Sequence, residues 1–125
     1  MSSHLYSLSL EDRKEYLFAH VRTQTVGIEQ AVTYISEVVA RVRDHRAKRL
    51  LFVRETHVDI PAREYELIGS IVTNVIPEDI RVAVVDLSPK TPVVVETINT
   101  VAQAKSRDVK AFDDLDEARV WLLSY

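Results

Sequence analysis

The sequence predicts an α/β domain in which an N-terminal β-hairpin leads into alternating helices and strands, and three observations carry that prediction. Short apolar runs recur at Leu50–Val53, Ile80–Val85 and Val109–Phe112, as expected of strands covered by helices. Between them lie longer segments whose apolar residues repeat at intervals of three and four, the period of a helix packed on one side. Ahead of them stand two apolar segments separated by charged residues, Glu11 to Lys14, the pattern of a hairpin.

The first hairpin arm holds Leu5, Leu8 and Leu10, and the second runs from Tyr16 to Val21. From Ile28 the period changes. Ile28, Ala31, Val32, Ile35, Val38, Val39 and Val42 form one helical stripe, with Thr25 as the expected N-cap. After the strand Leu50–Val53 comes a loop, Glu55 to Ile60, and then Asp59 and Pro61 are placed to cap and start a helix. Its stripe is Tyr65, Ile68, Ile71, Val72 and Val75, and Pro77 ends it. The strand Ile80–Val85 is closed by Asp86, and the loop Leu87 to Thr91 leads to Pro92 at an expected first helical position. The next segment is ambiguous. Val93, Val94, Val95 and Thr97 favour a strand by propensity, yet Val94, Ile98, Val101 and Ala102 keep helical spacing past strand length, so a helix is predicted. Asp114 and Glu117 form a capping box for a last helix with Leu115, Ala118, Trp121 and Leu122 inward. Strands separated by helices imply parallel pairing, and the hairpin adds one antiparallel strand.

Composition sets the limits on function. The 125 residues are 46% hydrophobic and 28% charged, which suits one domain, residues 1–125, with one core. The net charge of −3 exerts no overall pull on nucleic acid. Absence of cysteine excludes disulfides, thiolate nucleophiles and cysteine-ligated metals. The N-terminus lacks a secretory pattern, and no apolar run approaches the roughly 20 residues of a bilayer span, so a cytoplasmic protein is expected.

The segment Val109-Lys110-Ala111-Phe112-Asp113-Asp114-Leu115-Asp116-Glu117-Ala118-Arg119-Val120-Trp121-Leu122 resembles the short strand, capped turn and closing helix of the SpoIIAA-like proteins. That bacterial group shares its fold with STAS domains and is often grouped with CRAL-TRIO lipid-binding sequences. The element order from Leu5 to Tyr125 is similar throughout. The resemblance implies a mixed, largely parallel sheet of about five strands with four helices. Anti-sigma-factor antagonists of this fold carry an Asp-Ser-x-Gly type motif whose hydroxyl is phosphorylated by a partner kinase. The corresponding loop here is Arg54-Glu55-Thr56-His57-Val58-Asp59-Ile60-Pro61, with Thr56 as its only hydroxyl. A phosphate on Thr56 would meet helix N-terminal amides but also the charges of Glu55 and Asp59.

Catalytic constellations are missing from the pattern. With only Gly27 and Gly69, neither a dinucleotide loop nor a P-loop can be written, and no cofactor is expected. His4, His20, His45 and His57 make no i, i+4 pair, so no metal site is expected. Topology supplies one candidate ligand or regulatory loop region, because ligands of open parallel sheets bind beyond the carboxyl ends of the strands. Arg54, Glu55, Thr56 and His57 emerge there beside Asp86, Ser88, Lys90 and Thr91; the competing reading is that these residues cap helices. The basic group Arg41, Arg43, Arg46, Lys48 and Arg49 complements a helix dipole or, alternatively, touches anionic headgroups at a membrane surface. Leu67 with Ile71, and Val93 and Val95 with Ile98, widen the apolar faces of the second and third helices. Such widening serves deeper burial, a partner surface or a lipophilic pocket.

These features point to a non-catalytic binding or regulatory protein whose partner is another protein or a second copy in a homodimer. The alternative is a lipid-like or small apolar ligand held between residues 61–76 and 92–105, with peripheral membrane contact.

Overall fold

The computed structural model describes residues 6–25 and 27–124. Five strands and four helices follow one another as β1 (Tyr6–Asp12), β2 (Leu17–Thr23), α1 (Ile28–Asp44), β3 (Arg49–Thr56), α2 (Ala62–Val75), β4 (Arg81–Leu87), α3 (Thr91–Ala104), β5 (Val109–Phe112) and α4 (Leu115–Leu122). The strands lie in chain order, β1-β2-β3-β4-β5. β1 runs antiparallel to β2, and all other pairs are parallel.

Alternation along the strands decides what each face meets. Leu17, Ala19 and Val21 of β2, Leu50 and Phe52 of β3, and Val82 and Val84 of β4 share the larger core with Tyr34, Ile35 and Val38 of α1, Ile68 and Val72 of α2, and Val94 and Ile98 of α3. The intervening residues Leu51, Val53, Ala83 and Val85 meet Ala118 and Leu122 of α4 on the other face. Three helices thus cover one face and a single short helix the other. Strands buried on both faces need the continuous apolar runs that the sequence shows at β3 and β4.

The ambiguous segment is helical, with Val94, Ile98 and Ala102 buried at helical spacing. Burial of that stripe outweighs the strand preference of three consecutive valines. Several local expectations are corrected. β1 continues through Asp12, and the chain reverses over Arg13 to Tyr16, whose backbones exchange hydrogen bonds of 3.0 and 3.3 Å. Leu5 lies outside the described residues. The N-cap of α1 is Gly27, while the Thr25 hydroxyl lies 2.6 Å from Gln30 Oε1. α2 begins after Pro61 without a side-chain cap, because the N-cap position is held by Pro61 itself; Asp59, two residues earlier, pairs with Lys90 at 3.1 Å. Thr91 precedes Pro92 as the first residue of α3. In the last helix Asp114 Oδ1 accepts from the Glu117 amide at 3.0 Å. Leu115, placed inward by the pattern, is 38% exposed, because α4 is only two turns long and starts at the rim of the sheet.

Candidate functional site

The loops at the carboxyl ends of β3 and β4 are organised by charges buried beneath them. Arg54 and Asp86 are register partners on neighbouring strands and both point toward α1 and α2. The Arg54 guanidinium donates from Nη1 to Asp86 Oδ1 at 2.6 Å and from Nε to the Tyr34 hydroxyl at 3.0 Å. The Tyr65 ring lies over it, 5.4 Å from its carbon. Burial pushes the Tyr34 hydroxyl pKa up, which keeps this acceptor neutral. The second carboxylate oxygen, Oδ2, accepts from Ser88 Oγ at 2.7 Å. Both oxygens of Asp86 are therefore engaged, and a buried charge is matched to a buried charge.

The candidate loop residues do not share one location. Arg54 and Asp86 lie in the interior. Ser88 and Thr91 build the turn into α3: the Thr91 hydroxyl lies 3.1 Å from Asp86 O and 2.9 Å from Ser88 O, and the Lys90 amide donates to Ser88 Oγ at 3.2 Å. Lys90 Nζ reaches across to Asp59. Glu55 points to the opposite face, where His20 Nε2 lies at 3.0 Å and Arg22 Nε at 3.4 Å. Those contacts, the His20 hydrogen bond first, hold its carboxyl below the usual range. Thr56 is only 4% exposed, and its hydroxyl donates to the Thr23 carbonyl at 3.1 Å and accepts from the Val58 amide at 3.2 Å. His57 is exposed. Above the buried pair, an open groove of about 430 Å³ brings Glu55, Thr56, His57, Ser88 and Thr91 together with Leu87 and Pro89. Among the described residues no group of three or more His, Asp or Glu side chains is placed to hold a metal ion, and no helix is long and apolar enough to cross a membrane.

The apolar candidates divide as well. Ile98 is fully buried, and Ile71, Val93 and Val95 pack partly buried against the core. The seam between α2 and α3 is tight at Gly69, where a Cβ would meet Thr97 Cγ2 at 3.3 Å and Ile98 Cγ1 at 3.5 Å. Leu67 is 44% exposed and lines a cavity on the other flank of α2. That cavity, about 410 Å³, is a notch between the starts of α1 and α2, formed by Gly27, Ile28, Gln30, Ile60, Glu64, Leu67 and Ile68 among others. Ile28 and Val32 stay 46% and 42% exposed. Helical spacing alone places both in the core stripe of α1. The signal that separates them is their place, one turn apart, on the flank of an apolar stripe already filled by Ala31, Ile35, Val38 and Val42.

No family model and no curated protein matches the chain. Among solved structures, the chain is similar in fold to an anti-sigma factor antagonist from Mycobacterium paratuberculosis, at 16% identity over 98% of each chain with a TM-score of 0.57. A protein of the DUF3478 family with a SpoIIAA-like fold, from Shewanella loihica, aligns over 98% of each chain at 14% identity and a TM-score of 0.49. The hairpin, the parallel strands in chain order and the four helices make this a SpoIIAA-like α/β fold.

Proposed function

We propose that this chain acts by binding a protein partner through the notch between α1 and α2, without catalysing a reaction. The observation that carries this reading is the exposure of Ile28 and Leu67 in one notch on adjoining helices, with Val32 exposed one turn along α1 from Ile28. Apolar side chains clustered at a concave surface gain by being covered, at about 25 cal/mol per Å². The polar loops support the same reading from the other side. Asp86 and Arg54 satisfy each other, and the Thr56 hydroxyl is held by two backbone groups, so these side chains are committed to the fold. The fold is also similar to that of an anti-sigma factor antagonist.

A photo-reactive phenylalanine analogue placed at Val32 tests the reading in cells that express the protein natively. Val120, 73% exposed on α4, is the comparison position. A discrete protein adduct is expected at position 32 and none at 120, and Ile28→Asp should abolish it. Ile28→Asp keeps the fold, since an acidic residue in the first turn complements the helix dipole. Equal adducts at both positions, or an adduct indifferent to Ile28→Asp, would overturn the proposal.

A further inference from the structure

The sheet has two edges, and the structure seals one of them. At β5 the outward amide of Ala111 donates to Asn99 Oδ1 at 2.7 Å, and Asn99 Nδ2 donates to the Ala111 carbonyl at 3.3 Å. A side-chain amide from α3 thus occupies the positions a neighbouring strand would take. At β1 nothing comparable exists among the described residues: β2 is its only strand neighbour. The seven residues Tyr-Ser-Leu-Ser-Leu-Glu-Asp contain no proline and no lysine, the residues that commonly blunt an edge. Leu8 and Leu10 are half-buried on the helix-facing side and border a hollow of about 380 Å³ beside Glu37, Ala40 and Arg41 of α1.

We propose that the outer edge of β1 pairs with β1 of a second copy of this chain, antiparallel and centred on Ser9. Three features favour a second copy in this register. It overlaps all seven residues, with Tyr6 opposite the second copy's Asp12. It keeps the three-helix layers of both copies on one side and sets Leu8 against the second copy's Leu10, so four half-buried leucines cover one another. It also sends the acidic ends of the two strands apart, with Glu11 opposite the second copy's Ser7, whereas parallel pairing would oppose Glu11 to Glu11. The result is one continuous sheet through two molecules, related by a two-fold axis. The notch at Ile28 and Leu67 is lined by the first residues of α1 and is not part of this seam.

Because the chain contains no cysteine, one introduced thiol reports the register without interference. Ser7 and Ser9 are both exposed on the solvent side of β1. In the proposed dimer two Ser9→Cys side chains face each other with Cβ atoms about 5 Å apart. Two Ser7→Cys side chains lie four strand positions apart, about 13 Å, beyond disulfide reach. Sedimentation of the full chain is expected to give twice the monomer mass. Mild oxidation should lock Ser9→Cys as a covalent dimer while Ser7→Cys remains a thiol, and Ile28→Asp should leave the dimer intact. A monomer at high micromolar concentration, equal crosslinking at both positions, or loss of the dimer with Ile28→Asp would each overturn the proposal. The last outcome would move self-association to the notch and make a second copy its occupant, whereas the first two leave the reading of the notch as a protein-binding site untouched.

Discussion

Arg54 Nη1 lies 2.6 Å from Asp86 Oδ1, with side-chain exposures of 2% and 0%, between the sheet and the α1–α2 layer. Removing one partner of such a pair leaves a desolvated charge, which costs about 3–5 kcal/mol, whereas replacing both by apolar groups is often close to neutral. Asp86→Asn is therefore expected to lower unfolding stability by that amount, and Arg54→Met with Asp86→Leu to recover most of it. Urea unfolding of the singles and the double measures the difference. A single variant as stable as the parent would show that the pair is solvated in solution.

On the opposite face Glu55 sits between His20 and Arg22. Its carboxyl is held below the ordinary value, principally by the His20 hydrogen bond and against the opposing effect of burial. A depressed folded-state pKa contributes stability above the unfolded value of about 4.3 and loses it as the pH falls through the folded value. Stability is thus expected to decline on acidification below about pH 4.3, and Glu55→Gln to flatten that decline. Thermal midpoints across pH 3 to 6, in parent and variant, check it. Unchanged slopes would remove Glu55 from the acid response.

α1 and α3 end alike, on non-glycine residues in the left-handed region. Arg46 has φ 51° and Ser106 φ 54°. In each case the following amide reaches back to close the helix, Ala47 to the Val42 carbonyl at 3.0 Å and Arg107 to the Ala102 carbonyl at 2.8 Å. This is the position at which glycine is usually found, since a Cβ there costs roughly 1 kcal/mol. Arg46→Gly and Ser106→Gly should each stabilise the protein by up to about 1 kcal/mol, less the entropy glycine adds to the unfolded chain. Denaturant midpoints for the two variants decide it, and a loss at both sites would contradict the assigned backbone.

These turns also show what a sequence conceals. The alternation of helix and strand was legible, because periodicity reflects which side of an element is covered. The helix ends were not: nothing in Arg46 or Ser106 announces a left-handed residue, and Thr25 is as good a cap by type as Gly27, which is used. The candidate site was half legible. Strand order placed the β3 and β4 loops side by side, but the parity that sends Glu55 to one face and Arg54 to the other depends on strand register. The exposed flank at Ile28 and Val32 was hidden for a related reason, since helical spacing marks a stripe and not which edge of it the neighbouring helix leaves open.

Thr23 and Thr56 are register partners on β2 and β3, and their hydroxyls have opposite fates. Thr56 Oγ1 joins the Thr23 carbonyl to the Val58 amide, while Thr23 Oγ1 is buried with no hydrogen-bond partner among the described residues. A hydroxyl that satisfies buried groups contributes, and one buried without a partner costs its desolvation, each about 1–3 kcal/mol. Thr56→Val is expected to destabilise by roughly that amount and Thr23→Val to stabilise, the two changes being the same in shape. Calorimetry on both variants tests the pair of signs. The same contacts bear on modification. At 4% exposure the Thr56 hydroxyl must leave two backbone partners before a kinase can reach it, and the phosphate would then lie beside Glu55 and Asp59. Incubating the folded protein with ATP and a host extract is expected to leave its intact mass unchanged at Thr56. A phosphate found there by peptide mass spectrometry, on protein still folded by circular dichroism, would show that the β3–α2 loop opens far enough to release its hydroxyl.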